Sequence, residues 1–305
     1  MQANSTDIET ADGAERIVGG GIAPFGAHQF YSVFLYSLES FCGGSLIHKD
    51  IVLTAAHCLV PAAGGVIGKD AYVGGSRPDR DDAQAIPISG LRVHPGYRES
   101  TASIDNDFML LKLASPSSAP TIPFNTNPSL PRDNSAVKVI GFGHTQFNGK
   151  SSVELREVDV AVVNMGTCDR NYGGALNAQA HLCAASAGKD ACQNDSGGPL
   201  LQNGMVVGVV SFGQGCATPN YPGVYSRTSG AVDFITRGIC ELSSSPPASC
   251  SGLAPAPAPT GGSPTNEELV PQFCPQGLKI ESFGDLIKIV CCFGGRRFFG
   301  DLCEA

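Results

Sequence analysis

The chain of 305 residues lacks three features: an apolar run approaching 18 residues, a basic block longer than Arg296-Arg297, and any C-x-x-C pair. A membrane-spanning helix needs about 20 predominantly apolar residues, so the sequence excludes one. The net charge is −8, and we therefore expect no surface for nucleic acid or anionic membranes. Hydrophobic residues make up 42% of the chain, which at this length is enough for a buried core.

The chain contains 12 cysteines, an even number far above what cytosolic enzymes usually carry. Without C-x-x-C spacing they indicate disulfides formed in an oxidising compartment, so we expect a secreted protein. Residues 1–4 are polar and do not form the apolar core of a signal peptide. We therefore expect the sequence to begin after a removed signal.

Residues 17–242 consist of short apolar runs separated by glycine, proline and asparagine. Runs such as 51–53, 137–140 and 206–210 are strand-length and rich in β-branched residues. Helical periodicity is convincing only near 229–240, at the end of this region. The pattern predicts an all-β domain, an antiparallel barrel or sandwich, followed by a helix.

The composition changes after residue 242. Residues 243–271 are rich in Ser, Pro, Ala and Gly, which predicts a semi-extended linker. Residues 272–305 regain apolar content but are too few for a core of their own, so we expect a small extension stapled by disulfides. Its tip at 294–299 is basic and aromatic. That tip either contacts a partner or forms the turn of a hairpin, and we favour the hairpin.

Three separate segments carry residues that together suit nucleophilic catalysis. His57 ends an apolar run and precedes Cys58, which suits a rigidly held general base. Asp107 leads directly into the apolar run 108–111, where a buried carboxylate can orient an imidazole. Ser196 precedes two glycines in a tight turn, whose backbone N–H groups can converge on an oxyanion. Serine alone is a weak nucleophile, so it needs the base, and the base needs the carboxylate.

These segments resemble the trypsin and chymotrypsin family of serine endopeptidases, with the family's chain order of His, Asp and Ser. The resemblance covers about residues 17–240 and implies two six-stranded antiparallel β-barrels with a C-terminal helix. It implies His57 as general base, Asp107 as its orienting partner and Ser196 as nucleophile. The backbone N–H groups of Asn194 and Ser196 then form the oxyanion hole.

The resemblance also implies a specificity. Asp190 stands six residues before Ser196, where the lysine- and arginine-preferring members of the family place an acid at the base of the primary pocket. The walls of that pocket are expected from the segments that contain Ser211, Phe212, Gly213 and Gly223. A buried carboxylate pairs with a cationic side chain, so we expect cleavage after Arg or Lys. The alternative is that Asp190 is an ordinary surface acid.

The segment Arg16-Ile17-Val18-Gly19-Gly20 resembles the family's activation site. Cleavage after Arg16 frees the Ile17 ammonium, which in the family pairs with the acid beside the nucleophile, here Asp195. Residues 1–16 are then an activation propeptide. Because Arg16 suits the Asp190 pocket, self-activation and activation by another protease both remain open.

Family spacing implies the disulfides Cys42–Cys58, Cys168–Cys183 and Cys192–Cys216. Six cysteines remain, and they lie toward the C-terminus: Cys240, Cys250, Cys274, Cys291, Cys292 and Cys303. If Cys240 pairs with Cys250, the last four have two unstrained pairings, because a vicinal bond is strained.

Other positions depart from the family or lie beside its motifs. Asn194 replaces the usual glycine, tolerates unusual backbone angles, and is placed to crowd the leaving-group side of the substrate. The chain contains no tryptophan, and Phe142 and Phe212 stand where the family usually has it. Asp105 lies outside the family frame and is expected to be a solvated turn residue.

We expect no metal or other cofactor, since the acids at 79–82 fit a solvated loop better than a calcium site. The expected partners are protein or peptide substrates and protein protease inhibitors, and the expected state is a monomer. The rival hypothesis is a catalytically silent protease homologue that binds a partner. The simultaneous presence of the three catalytic residue types, the pocket acid and the activation site argues against it.

Overall fold

The computed structural model describes residues 18–35, 41–59, 66–75, 82–252, 278–283, 286–293 and 296–297. In chain order, the strands of the first half are β1 (Gly21–Ile22), β2 (Tyr31–Leu35), β3 (Phe41–His48), β4 (Ile51–Thr54), β5 (Val66–Gly68), β6 (Asp70–Val73), β7 (Gln84–Val93), β8 (Arg98–Glu99), β9 (Ile104–Asp105) and β10 (Met109–Leu113).

The strands of the second half are β11 (Ala136–Gly141), β12 (Arg156–Val163), β13 (His181–Ala185), β14 (Pro199–Gln202), β15 (Met205–Phe212), β16 (Gly223–Arg227), β17 (Leu278–Phe283), β18 (Leu286–Phe293) and β19 (Arg296–Arg297). The α-helices are α1 (Met165–Asn171) and α2 (Val232–Leu242), and the short 3-10 helices are Ala56–Cys58, Thr228–Gly230 and Ala248–Gly252.

Six strands of the first half form a closed antiparallel barrel in the order β10, β4, β3, β2, β6, β7. The long strand β7 alternates between exposed and buried residues along much of its length, as expected for a strand with one face on a core. All four residues of β4 are buried, because α2 packs against this strand in addition to the barrel interior. His57 follows this strand closely in the chain, so its backbone is held by a buried strand.

The second half forms another antiparallel barrel. Strands β12, β11, β14, β15, β16 and β13 pair in that order, and pairing of β12 with β13 closes the ring. Val158, Val160 and Val162 alternate along β12 with more exposed residues and lie in one core cluster. The prediction of two six-stranded barrels is therefore confirmed. The short β1 pairs antiparallel with the first two residues of β12, which holds the start of the described chain on the second barrel.

Helix α2 packs against the first barrel, which confirms the predicted C-terminal helix. Ile235 and Ile239 are buried in the core cluster of that barrel, and Gly238 lies so close to Leu110 that a Cβ there would clash. The hydroxyl groups of the serines that follow the helix donate to the buried carboxylate of Asp50. The helix at the end of the second half thus ties the two halves together.

Helix α1 was not predicted from the sequence. This helix has seven residues and only Cys168 among them is buried, so its sequence has no apolar periodicity. Its start is set locally, because the Asn164 side chain accepts a hydrogen bond from the backbone N–H of Thr167.

The extension contributes three strands to the described chain. Strand β17 pairs antiparallel with β18, and the other edge of β18 pairs with β5 from the first half. Strand β19 pairs antiparallel with the end of β18, the arrangement that a hairpin tip requires. The pairing of the four cysteines in the extension lies outside the described residues. No helix in the described part of the chain has both the length and the apolar character needed to span a bilayer.

Candidate active site

His57 and Asp107 are joined by two hydrogen bonds. His57 lies in the 3-10 turn after β4, and the disulfide from Cys58 to Cys42 holds that turn to β3. The Nδ1 atom of His57 is 2.7 Å from Oδ2 of Asp107, and its backbone N–H donates to Oδ1 over 2.9 Å. One carboxylate oxygen therefore orients the imidazole and the other holds the His57 backbone, while a fifth of the His57 side chain stays exposed.

Asp107 has a further partner from the second barrel. It is completely buried, and Oγ of Ser211 donates a 2.5 Å hydrogen bond to Oδ2. Burial alone would raise the pKa of Asp107, but attraction to His57 and the hydrogen bonds from His57 and Ser211 outweigh it and lower that pKa. Burial likewise opposes protonation of His57, yet the charge of Asp107 and its hydrogen bond raise the pKa of His57, with a smaller contribution from the charge of Glu99.

Ser196 lies in a turn that packs against β3 and β4 of the first barrel. Its carbonyl accepts a 2.8 Å hydrogen bond from the backbone N–H of Gly43, the residue after Cys42. A Cβ on Gly197 would lie 2.5 Å from the carbonyl oxygen of Gly43, so only glycine fits there. The turn is left-handed on both sides of Ser196, with φ of 69° at Asn194 and 77° at Gly197. The half-buried Ser196 is thereby held next to Gly43, which follows Cys42, and the disulfide partner of Cys42 follows His57 in the chain.

Asp195 is a buried carboxylate beside Ser196. Its oxygens accept hydrogen bonds from the backbone N–H groups of Gly143 (2.8 Å) and Cys192 (2.9 Å). Burial raises the pKa of Asp195 to about 7. Its expected partner Ile17 lies outside the described residues, as does Arg16. Val18, the residue after Ile17, lies beside Asp190, since its carbonyl accepts from the backbone N–H of Asp190 at 3.3 Å.

Asp190 is a second buried carboxylate, and it is only half satisfied. Its residue surface is 4% exposed, which is not the exposure of a surface acid. Oδ2 accepts from the N–H of Ala217 at 2.9 Å, whereas Oδ1 has no hydrogen-bond partner among the described residues. Burial raises the pKa of Asp190 to about 7. An unpaired buried carboxylate oxygen is costly, so this group favours a cationic ligand.

Glycine backbone lies against Asp190, and aromatic side chains lie next to these glycines. A Cβ on Gly223 would lie 2.7 Å from Oδ1 of Asp190, and a Cβ on Gly213 would lie 3.9 Å from Cα of Gly223. Glycine at positions 213 and 223 therefore leaves space next to the Asp190 carboxylate that a larger side chain would fill. The ring of Tyr172 meets Phe212 edge-on at 5.9 Å, and its hydroxyl donates to the carbonyl of Pro222. Tyr172 is a wall residue that was not predicted from the sequence.

Asp105 ends β9, where it pairs with Arg98, so it is a strand residue and not the solvated turn residue expected from the sequence. Its side chain is 40% exposed, and Oδ1 is 3.4 Å from Nε2 of the buried His181. His94 accepts a hydrogen bond from the backbone N–H of Gly96 and makes none to His57, Asp107 or Ser196 among the described residues. It packs against Phe108 and Phe234, and burial lowers its pKa to about 4. Neither residue joins the site.

Four disulfides are present in the described chain. They join Cys42 to Cys58, Cys168 to Cys183, Cys192 to Cys216 and Cys240 to Cys250. Within the described ranges, the one cluster with metal-ligand spacing is Cys42, His57 and Cys58. A metal prefers thiolates, and both of these sulfurs are already in a disulfide, so the donor set does not suit a metal. Asp79 and Asp81 of the acidic loop lie outside the described residues.

Comparison with known proteins decides the family, since the trypsin family model matches residues 17–235. The chain belongs to the trypsin family. It is 36% identical to trypsin delta of Drosophila erecta over 228 residues, covering 73% of this chain and 88% of that trypsin. It is 38% identical to trypsin alpha of Drosophila melanogaster over 220 residues, covering 69% and 82%.

Among solved structures, this trypsin-family chain is similar to neuropsin, a serine protease expressed in the limbic system of mouse brain. The TM-score is 0.64 at 26% identity, covering 72% of this chain and 97% of neuropsin. The resemblance to serine endopeptidases is thereby confirmed, and the chain is a serine protease that acts on protein substrates.

Proposed function

We propose that this trypsin-family protease is a secreted endopeptidase that cleaves after Arg or Lys through an acyl-enzyme on Ser196. The observation that carries the specificity is the Asp190 carboxylate, which is buried with one oxygen unpaired beneath Gly213 and Gly223. A guanidinium or ammonium group supplies the missing donors, and the glycines leave room for its aliphatic stem.

In the proposed reaction, His57 takes the proton of the Ser196 hydroxyl as Oγ attacks the substrate carbonyl. The C–N bond then breaks, and His57 passes that proton to the leaving amine. Water hydrolyses the acyl-enzyme by the same steps, with His57 as base and then acid. Asp107 holds the tautomer with the proton on Nδ1, which leaves Nε2 free to accept. The backbone N–H groups of Asn194 and Ser196 stabilise the oxyanion.

We also propose that residues 1–16 are a propeptide and that cleavage between Arg16 and Ile17 activates the enzyme. Asp195 supports this proposal, because burial raises its pKa to about 7 and a new ammonium would stabilise its charge. The position of Val18 supports it too, since its carbonyl accepts a hydrogen bond from the backbone N–H of Asp190, in the segment that leads to Asp195.

We propose that residues 17–242 form the protease domain, 243–271 a linker whose start is tied to that domain by Asp50 and the Cys240–Cys250 disulfide, and 272–305 a disulfide-stapled extension. The four disulfides in the described chain support secretion. We propose that the enzyme is a monomer and meets protein protease inhibitors at the same cleft.

The test starts from the full chain incubated alone at pH 8, with N-terminal sequencing and with Arg and Phe ester substrates assayed over time. A new Ile17 terminus that appears with Arg-specific turnover supports a self-activating enzyme. If the chain stays intact, another protease is used to cut after Arg16 before the assay. The Ser196→Ala variant is the control, and it should lose labelling by a serine-directed phosphonate.

An inactive chain with a confirmed Ile17 terminus would contradict the proposal and favour the silent, partner-binding homologue. Turnover of Phe esters in preference to Arg esters would retain the protease but overturn the role of Asp190. Phosphonate labelling of Ser196→Ala would overturn the nucleophile.

A further inference from the structure

The turn before Ser196 carries an anchor that the glycine usual at position 194 could not make. The side-chain amide of Asn194 donates through Nδ2 to Oγ of Ser151 over 2.8 Å. The same Nδ2 atom is 3.4 Å from Nε2 of His144, a distance at the long end for a hydrogen bond. Both partners belong to the loop after β11.

This loop is held to the nucleophile turn by its backbone as well. The N–H of His144 donates to the carbonyl of Gln193 over 2.7 Å, and His144 and Ser151 form an antiparallel bridge across the loop. The N–H of Ser152 donates to the carbonyl of Phe142 over 2.9 Å. Ser151 is therefore a fixed point relative to the second barrel.

The hydrogen bonds to His144 and Ser151 hold the peptide between Gln193 and Asn194 from both of its residues. A peptide is planar and trans, so its C=O and N–H point in opposite directions. The Gln193 carbonyl is directed to His144, and the Asn194 N–H must consequently point the other way. Because Asn194 has φ of 69°, its backbone occupies a region that side-chain-bearing residues rarely adopt. The amide anchor on Ser151 holds it there.

We propose that Ser151 is a positioning residue for hydrolysis, holding the Gln193–Asn194 peptide through the Asn194 side chain with its N–H directed at the oxyanion. The inference rests on the proposed function, in which that N–H is one of the two oxyanion donors. Ser151 itself does not touch the reacting atoms. Glycine adopts a left-handed backbone without strain. At position 194 the contact of the Asn194 side chain with Ser151 stabilises that backbone instead.

The experiment is a double-mutant cycle on the chain cleaved after Arg16. Ser151→Ala should lower kcat for an Arg amide about tenfold with KM little changed, less than the ~10²–10³ lost when an oxyanion donor is removed outright. Ser151→Thr keeps a hydroxyl and should retain most of the activity. In the Asn194→Gly background the anchor is already gone, so Ser151→Ala should change kcat by less than about twofold.

Inhibitor affinities separate positioning from general damage. A peptidyl-arginine aldehyde forms a hemiacetal oxyanion with Ser196, and its affinity should fall in parallel with kcat in Ser151→Ala. Benzamidine fills only the Asp190 pocket, and its affinity should not change. The matched control is Ser89→Ala, an exposed serine on β7 whose hydroxyl contacts only the Lys112 carbonyl among the described residues. It should leave all of these quantities unchanged.

Three outcomes overturn the proposal while the enzyme itself remains active. Ser151→Ala with unchanged kcat shows that Asn194 needs no anchor. An equal loss with Asn194 in place and in the Asn194→Gly background shows that Ser151 acts by another route. A parallel loss of benzamidine affinity shows a general structural effect. Failure of the proposed function is a different result, namely no turnover and no phosphonate labelling of the cleaved chain before any substitution.

Discussion

Ser211 and His57 hydrogen-bond to the same oxygen of Asp107, one from each barrel. The Ser211 hydroxyl lies 2.5 Å from Oδ2, and Nδ1 of His57 lies 2.7 Å from it. The other oxygen of Asp107 accepts from the backbone N–H of His57. Both oxygens of the Asp107 carboxylate therefore accept hydrogen bonds. The carboxylate links His57 of the first barrel to Ser211 of the second.

The tautomer of His57 depends on Asp107 far more than on Ser211. In Asp107→Asn an amide can donate to the imidazole, which favours the wrong tautomer, and kcat should fall by about 10⁴. Ser211→Ala removes one of three hydrogen bonds to a carboxylate that His57 still holds, so the loss should stay below about tenfold. Steady-state kinetics on an Arg amide measure both, and equal losses would contradict this ordering.

The acid limb of the pH profile should report the raised pKa of His57. A general base must be deprotonated, so kcat at saturating Arg amide, where bound substrate already pairs with Asp190, should rise with pH and reach half its maximum above about 6.5, the ordinary value for histidine. Glu99→Gln removes one charge that raises this pKa, so its limb should move to lower pH and its activity at pH 6 should increase. Asp233→Asn, an exposed acid on α2, is the control and should leave the profile in place.

That shift from Glu99 is electrostatic and should shrink at 1 M salt, where charges are screened within about 3 Å. An acid limb with its midpoint below pH 6.5 in the unmodified enzyme would contradict the prediction. A midpoint that moves to higher pH in Glu99→Gln would contradict it as well.

Binding of benzamidine should depend on the ionisation of Asp190. Burial raises its pKa to about 7, and only the ionised carboxylate pairs with an amidinium. Affinity should therefore increase as pH rises through 7, about tenfold between pH 6 and pH 8, and then level off. Calorimetry or inhibition of turnover measures this. Asp190→Asn should bind at least ~10²-fold more weakly and without the pH dependence. A flat profile in the unmodified enzyme would count against a raised pKa.

Asp195 should make the uncleaved chain less stable at neutral pH than in mild acid. Its folded pKa of about 7 lies above the unfolded value of about 3.9, so the folded state binds more protons in that window. Its contribution to the free energy of unfolding is present below pH 4 and is lost as pH rises to 7. Calorimetry should give a melting temperature several degrees lower at pH 8 than at pH 5.

Cleavage after Arg16 is the matched comparison for that experiment. If the Ile17 ammonium pairs with Asp195, the cleaved chain should lose much of this pH dependence, because the charge of the carboxylate is then compensated. Asp195→Asn should reduce the pH dependence of the uncleaved chain as well. Identical pH dependence in the cleaved and uncleaved chains would argue against the pairing.

Much of the fold was accessible from local patterns. The β-branched runs at 51–53, 137–140 and 206–210 lie in β4, β11 and β15, since strands buried on one or both faces appear as alternating or short continuous apolar runs. Helix α2 has a strong apolar stripe and was predicted. Helix α1 was missed because its polar sequence has no apolar periodicity. It is stabilised by its Asn164 cap and by the disulfide of Cys168.

The candidate site divides in the same way. His57, Asp107 and Ser196 stand in motifs, and Asp190 stands at a spacing from one of them, so each could be named from the sequence. Tyr172 and Ser151 stand in no motif. Ser151 meets Asn194 across 43 residues of sequence, and only the closure of the second barrel brings them together.

The sequence by itself therefore determined the chemistry: which residue types are present, in which order, and with which cysteines beside them. The tertiary structure alone decided how that chemistry is held. It directed a Ser211 hydroxyl to Asp107, left Oδ1 of Asp190 without a partner among the described residues, and anchored Asn194 on Ser151. The physical reason is that residue identity is local, whereas burial and hydrogen-bond partners arise from strands distant in sequence that pack together.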